Sequence, residues 1–231
     1  MRKKWNNEPS TFLVSKNGRH QFGGKATHKG AIPRGCKVPM HLILSLNTKD
    51  PLCPVDEIEA KELPLYYPLR YGMGGGEVQY QVCKDSSIRI TYIDAQEPDD
   101  PADHPYPNQD CLPEMRGVLR AMSYEEIRAA AYADLYSDRK CSPRDKKLLA
   151  HAGWTDGIRV GGELLTCRGE VGWECKNSKC KIFERPSVLK ALAVVADSPI
   201  KGIEIFGCSD VVIFFGLCRA CGQVVAVNRC S

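Results

Sequence analysis

The chain has 231 residues, of which 43% are hydrophobic and 26% charged, and its formal net charge is +4. This composition is that of a folded globular protein, so it excludes disordered and fibrous classes. The mild positive charge neither requires nor excludes a nucleic-acid partner. Because the sequence has no run of about 18 apolar residues, we expect no membrane span. The basic first residues lack the apolar core of a signal peptide, which favours a cytoplasmic protein.

Residues 1–40 contain nine Lys or Arg and one acidic residue, Glu8, together with several glycines. This pattern predicts a basic, loosely structured arm. Such an arm is either a solvated surface or a segment that docks on phosphate or on an acidic protein face.

The next segments predict strands. Residues 40–46 are mainly apolar, and residues 77–82 and 88–93 alternate with a period of two. Turn-forming residues at 84–87 separate the last two segments, which indicates a β-hairpin.

The middle of the chain has a different composition. Residues 94–110 hold four prolines and six acidic residues and no Lys or Arg, which is typical of an exposed linker. Ser123 and Glu126 form a capping-box pattern at the start of a predicted helix. A second helix is predicted from Ser142 to about His151, with proline at its first position.

Residues 157–231 return to strand patterns and resemble residues 20–93 in order. The matched segments are 22–24 with 160–162, 40–46 with 190–196, 71–72 with 206–207, 77–83 with 210–218, and 88–93 with 224–229. The order predicts an internal duplication. Two such units are expected to bury a shared face, because one short sheet is marginally stable alone.

These patterns predict an α+β, mostly β fold with two related β-rich units and a zinc-ribbon-like hairpin in the second. The expected organisation is a basic arm and first β-rich unit at 1–96, a linker with two helices at 97–156, and a second β-rich unit at 157–231. These parts could form one compact domain.

The strongest chemical signal is a set of cysteines. Cys175 and Cys180 form a C-x4-C pair, and Cys218 and Cys221 form a C-x2-C pair followed by Gly222. Without a signal peptide, such pairs indicate metal ligands before disulfides. Four thiolates are the ligand set that structural zinc prefers. The spacing therefore predicts one structural zinc ion, with one cysteine pair on the turn of the 211–229 hairpin.

Other interpretations of the cysteines remain open at this point. The four could form two disulfides or stay free thiols, and Cys218 and Cys221 could act as a redox pair. The first unit keeps Cys83 where the second has Cys218. A second metal site from Cys36, Cys53 and Cys83 with His41 is conceivable. The sequence contains no HExxH or HxE…CxxC signature of catalytic zinc.

The Gly-Gly motif, the two cysteine pairs, the apolar segment after the first pair, and the ending at 215–231 resemble the YwqG-like bacterial proteins. The resemblance covers 157–231 best and 20–93 more weakly. It implies a mostly β fold with an internal pseudo-repeat. Some relatives look like members of toxin–immunity neighbourhoods, which implies a protein-binding role. It implies no catalytic residues.

Three classes of function remain. The first is a cytoplasmic zinc-stabilised protein that binds another protein as an immunity or adaptor factor. The second is a nucleic-acid-binding zinc-ribbon protein that uses residues 1–40 and Arg219. The third is an enzyme with a site built from scattered residues, although no histidine lies in a known catalytic motif. The histidines are His20, His28, His41, His104 and His151.

Overall fold

The computed structural model describes residues 8–55, 58–71, 76–94, 111–128, 143, 157–162, 173–187, 189–207 and 211–230. The predicted linker beyond residue 94 and nearly all of the second predicted helix lie outside the described residues. In the part of the chain that is described, no helix is long and apolar enough to cross a membrane.

The described residues are mostly β, as predicted, with one short helical segment at 124–128. The strands are β1 (Ser10–Val14), β2 (His20–Phe22), β3 (His41–Asn47), β4 (Glu62–Tyr67), β5 (Val78–Val82), β6 (Ile88–Ile93), β7 (Met115–Ala121), β8 (Ile158–Val160), β9 (Trp173–Glu174), β10 (Pro186–Ser187), β11 (Lys190–Ala196), β12 (Val211–Leu217) and β13 (Gln223–Cys230).

Eleven strands form one curled sheet in the order β4-β3-β2-β7-β1-β8-β11-β12-β13-β5-β6, and β9 and β10 form a separate pair. Every pairing between these strands is antiparallel. The β12–β13 hairpin therefore lies beside the β5–β6 hairpin, so strands from the two predicted β-rich units pair directly.

The curl brings the edge strand β4 to β5 through one tyrosine. The fully buried Tyr80 of β5 accepts a hydrogen bond at its hydroxyl from the Tyr66 N–H (2.8 Å) and donates to the Pro64 carbonyl (3.1 Å). Both partners belong to β4. The Tyr80 side chain thus hydrogen-bonds backbone groups of the edge strand β4 that are not paired with β3.

The C-terminal strands bury both faces of the sheet. Phe215 and Val224 face the main core, whereas Phe214 and Val225 belong to a second, smaller apolar cluster. This alternation follows from the period of two along a strand. The second cluster contains three of the four paired cysteines as buried members. The cysteine site therefore packs against this face of the sheet.

Four strands of the sheet were not predicted from the sequence: β1, β2, β4 and β7. The expectation of a loosely structured arm is wrong for residues 10–22, because β1 pairs with β7 and β8 and β2 pairs with β3 and β7. Strand β7 also lies inside the segment expected to hold only a linker and helices. Short strands with mixed polarity carry little period-two signal.

The capping box predicted at the first helix is confirmed. The Glu126 N–H donates to the Ser123 hydroxyl (3.2 Å), and the Ser123 N–H donates to the Glu126 carboxylate (2.7 Å). Arg120 also pairs with this carboxylate at 2.7 Å. The carboxylate therefore satisfies the start of the helix and anchors it to the end of β7.

The two predicted units share one local arrangement. Gly23 and Gly161 each follow a short strand at positive φ, and their N–H groups donate to the carbonyls of Ile43 (3.1 Å) and Leu192 (2.9 Å). Each acceptor sits where the register of its strand shifts. Beyond this point the strands align differently from the expectation, because β4, not β5, pairs with β3 as β12 pairs with β11. The duplication itself stays a prediction.

Candidate metal centre

The first cysteine pair lies on a compact loop that follows β9. The Cys180 N–H donates to the Asn177 carbonyl (2.8 Å), and the Asn177 side chain accepts from the Lys179 N–H (3.1 Å). The Glu184 N–H donates to the Cys175 carbonyl (3.0 Å) and closes the loop. These bonds fold the C-x4-C segment so that both thiols lie on one side.

The second pair lies at the turn between β12 and β13, as predicted. The Cys218 N–H donates to the Gln223 carbonyl, and the Gly222 N–H donates to the Cys218 carbonyl, both at 2.8 Å. Gly222 has a φ of 70°, a conformation in which glycine carries no Cβ penalty. The tight turn directs the thiols of Cys218 and Cys221 toward the first pair.

The four thiols converge on one point. All four Sγ atoms lie within 4.8 Å of one another. The Sγ–Sγ distances are 3.6 Å for Cys175 and Cys221 and 3.9 Å for Cys180 and Cys218. Four sulfurs at about 2.3 Å from a tetrahedral metal would be separated by about 3.8 Å. Disulfide sulfurs would be about 2.05 Å apart, so the thiols are free and fit the edges of a metal tetrahedron.

The site is closed by protein. Cys175, Cys180 and Cys218 are buried and Cys221 is half-buried. Trp173, from β9, and Leu189, ahead of β11, pack in the same apolar cluster. Four protein sulfurs in a mostly apolar surround could complete the tetrahedral coordination of one metal ion.

Backbone amides support negative charge on the sulfurs. Cys175, Cys180 and Cys221 each accept a backbone hydrogen bond from the residue two positions later. Burial raises the pKa of Cys175 and raises that of Cys221 to about 11. The pKa of Cys180 is lowered, because the Ile182 amide and the neighbouring thiols outweigh its burial. Several thiolates buried together need a cation to compensate their charge.

The alternative second metal site is not assembled. Among the described residues, the only group of three or more potential ligands with metal-binding spacing is the Cys175 set. Cys36 hydrogen-bonds with Tyr71. Cys53 is buried, and that burial raises its pKa to about 12, while Cys83 starts the β5–β6 turn. These three cysteines and His41 therefore do not form a second centre.

Two histidines have well-defined structural partners. The Asn47 N–H donates to His20 Nδ1 (3.1 Å), so the ring proton lies on Nε2, which donates to Asp50 (2.9 Å). His28 Nδ1 lies 2.8 Å from the Tyr66 hydroxyl. Both nitrogens of His20 are occupied in holding the chain, which leaves no ring position for proton transfer to a substrate.

Sequence analysis missed two residues of the site, Gln79 and Gln223. Both are fully buried, and Gln79 contacts the backbone on both sides of Cys175. The sequence signal for them was weak: each glutamine is a polar residue on a strand that is otherwise suited to burial.

Comparisons of the chain with protein-family models, with curated proteins and with solved structures found no match in any of the three. The resemblance to the YwqG-like proteins therefore stays a prediction. What the chain could bind must be argued from its own geometry.

Proposed function

We propose that Cys175, Cys180, Cys218 and Cys221 hold one structural Zn²⁺ ion, and that the chain is a cytoplasmic protein-binding factor of the immunity or adaptor kind. The observation that carries the metal proposal is the tetrahedral spacing of four largely buried thiols. Zinc is the metal most often held by four cysteines in a closed structural site. A reducing compartment would keep the thiols available as ligands.

Cobalt substitution tests the ligand set. Co²⁺ in a tetrahedral thiolate site gives intense visible bands and a sulfur charge-transfer band. We expect wild-type protein to show both bands, with saturation at one ion per chain, and Zn²⁺ to displace Co²⁺. A spectrum of octahedral aqueous type would contradict the four-thiolate assignment.

An exposed apolar patch supports the protein-binding role. Leu13 on β1 and Val118 on β7 are cross-strand neighbours on one face of the sheet, and each is 40% exposed. Neighbouring exposed apolar side chains are characteristic of contact surfaces between proteins. The patch lies on central strands of the sheet and involves none of the metal-site cysteines.

Capture experiments test this role. We expect wild-type protein to retain a saturable protein partner from native lysate, and Val118→Glu to lose it while keeping its metal. Ile32→Glu, at another exposed apolar position, is the matched control and should retain the partner. Absence of any saturable protein partner would reject the protein-binding proposal.

Nucleic-acid binding is the second candidate, and one observation favours it. The two cysteine loops expose basic side chains around the metal centre: Lys179, Lys181, Arg185 and Arg219. Phosphate binding through such residues weakens steeply as salt increases. Retention on single-stranded DNA or RNA that falls with salt and is reduced by Lys179→Ala and Lys181→Ala together would support this candidate. Absent or salt-independent retention would reject it.

A further inference from the structure

Gln79 contacts the metal loop at the two peptide groups that flank Cys175. Its side-chain oxygen accepts from the Lys176 N–H (2.8 Å), and its side-chain nitrogen donates to the Glu174 carbonyl (2.7 Å). The amide therefore bonds this backbone as a neighbouring strand would. Gln79 lies on β5, 95 and 97 residues away in sequence from these partners.

The orientation of the Gln79 amide is fixed by its partners. A backbone N–H can only donate and a carbonyl can only accept, so a flipped amide would lose both bonds. The same nitrogen also donates to the Glu77 carboxylate, and the same oxygen accepts from the Gln223 side chain. All four hydrogen-bonding positions of the amide are thus used inside a fully buried environment.

Gln223 extends this contact to the other cysteine loop. Its carbonyl accepts from the Cys218 N–H (2.8 Å), and its own N–H donates to the Cys221 sulfur. Its side chain donates to Gln79. The Gln79–Gln223 pair therefore connects the backbone around Cys175 with the backbone around the second pair, on the side away from solvent.

We propose that Gln79 is a positioning residue for the metal centre: its amide, braced by Gln223, fixes the Cys175 loop at the distance from the β12–β13 turn that a shared tetrahedral ion requires. The proposal rests on the proposed zinc site. It makes metal binding dependent on β5, a strand of the first β-rich unit that supplies no ligand. Partners that orient metal ligands in this way commonly change metal affinity about 10–100-fold when removed.

The test compares Gln79→Met with Gln81→Met in the full chain loaded with zinc. Both substitutions keep side-chain length on the same strand. Gln81 lies opposite Gln223 on β13, but its side chain bonds Arg89 on β6 rather than the backbone around Cys175. We expect Gln79→Met to raise the zinc dissociation constant about 10–100-fold, as measured by competition with a chromophoric chelator. Gln81→Met should bind zinc as the wild type does.

A second readout separates positioning from general destabilisation. Alkylation of the zinc-loaded protein, followed by peptide mass spectrometry, gives the labelling rate of Cys175 relative to Cys218 in the same molecules. Loss of positioning raises this ratio, because the Cys175 loop detaches first. General destabilisation exposes all four thiols together and leaves the ratio unchanged.

Gln223→Met provides a milder variant, because it removes one bond from Gln79 and leaves both backbone contacts of Gln79 in place. We expect the same rise in the ratio, but a smaller one. An unchanged ratio and an unchanged zinc affinity in these variants would overturn the role of Gln79 while leaving the zinc site intact. Wild-type protein that takes up no zinc would overturn both proposals.

Discussion

The β5–β6 and β12–β13 hairpins lie side by side in the sheet, and each turn begins with a cysteine, at 83–87 and at 218–223. In both turns the N–H of the first residue donates to the carbonyl of the last, at 2.8 Å. Both also place one residue at positive φ just before the end, Ser86 at 62° and Gly222 at 70°. The two turns therefore close with the same hydrogen bond and a similar backbone conformation.

The two turns differ in what holds their side chains. In the first, the Asp85 carboxylate accepts from the Ser87 N–H (3.1 Å) and hydroxyl (2.6 Å), so the turn is stabilised by its own residues. The second turn is one residue longer, and its Cys221 thiol lies 3.6 Å from Cys175 on a distant loop. The first turn is thus closed by its own residues, whereas the second turn meets a distant loop to form a group of thiols that could hold a metal ion.

The largest expected effect separates the two cysteine turns. Cys221→Ser removes one of four ligands, whereas Cys83→Ser changes the corresponding hairpin, which lies outside the metal-binding group. We expect Cys221→Ser to lose the stabilisation from zinc, about 4 kcal/mol where free zinc is roughly 1,000 times its dissociation constant. Cys83→Ser should stay close to wild type. The measurement is urea unfolding with added zinc and with a chelator, and equal losses in both variants would contradict the comparison.

Smaller effects, opposite in sign between the two turns, are expected when the positive-φ residues are substituted. Gly222→Ala should cost about 1–2 kcal/mol, because an alanine disfavours the left-handed conformation. A Cβ at Gly222 would meet no heavy atom within 4 Å, so sterics add nothing to this backbone cost. Ser86→Gly should be neutral or stabilising by up to about 1 kcal/mol, since relief of the conformation is partly offset by chain entropy.

Thermal unfolding of the zinc-loaded variants measures both changes. The contrast requires Gly222→Ala to lower the midpoint and Ser86→Gly to leave it equal or higher. A fall of the same size in both would show that the turns differ in more than the residue type at this position.

The smallest effect concerns the carboxylate of the first turn. Hydrogen bonds from Ser87 lower the pKa of Asp85. A lowered folded-state pKa gives stability that is present above the unfolded value of about 3.9 and is lost as pH falls through the folded value. We expect Asp85→Ala to be slightly less stable than wild type at pH 6, with the difference vanishing near pH 2. Unfolding midpoints of both proteins at each pH test this, and a constant difference would contradict it.

The cysteine site could be predicted from the sequence because its chemistry depends on residue type and short spacing. Cys218 and Cys221 sit within one turn, and their pairing with Cys175 and Cys180 requires only that two loops meet. Strands β12 and β13 were equally predictable, since mainly apolar runs at 211–217 and 224–227 flank that turn.

The missing strands illustrate what local patterns leave out. Pro64 interrupts β4, which is tolerated because β4 is an edge strand. Gly117 and two arginines interrupt the apolar pattern of β7, yet β1 and β2 pair with it on both sides. Strand β7 pairs with β1 across more than 100 residues of sequence, so only the tertiary fold stabilises that pairing.

Gln79 was beyond prediction for the same reason. A glutamine at a strand position is ordinarily a solvent-facing residue. Its role follows from partners 95 and 97 residues away, and no spacing rule connects β5 with the Cys175 loop.

X-ray absorption at the zinc edge tests the central claim most directly, because it reports the atoms bound to the metal and their distances. For purified wild-type protein we predict one zinc per chain with four sulfur neighbours at about 2.3 Å. The same spectrum is expected for Cys83→Ser, and fewer than four sulfurs for Cys221→Ser. A wild-type spectrum dominated by nitrogen or oxygen neighbours, or a protein that retains no zinc, would contradict the four-thiolate site.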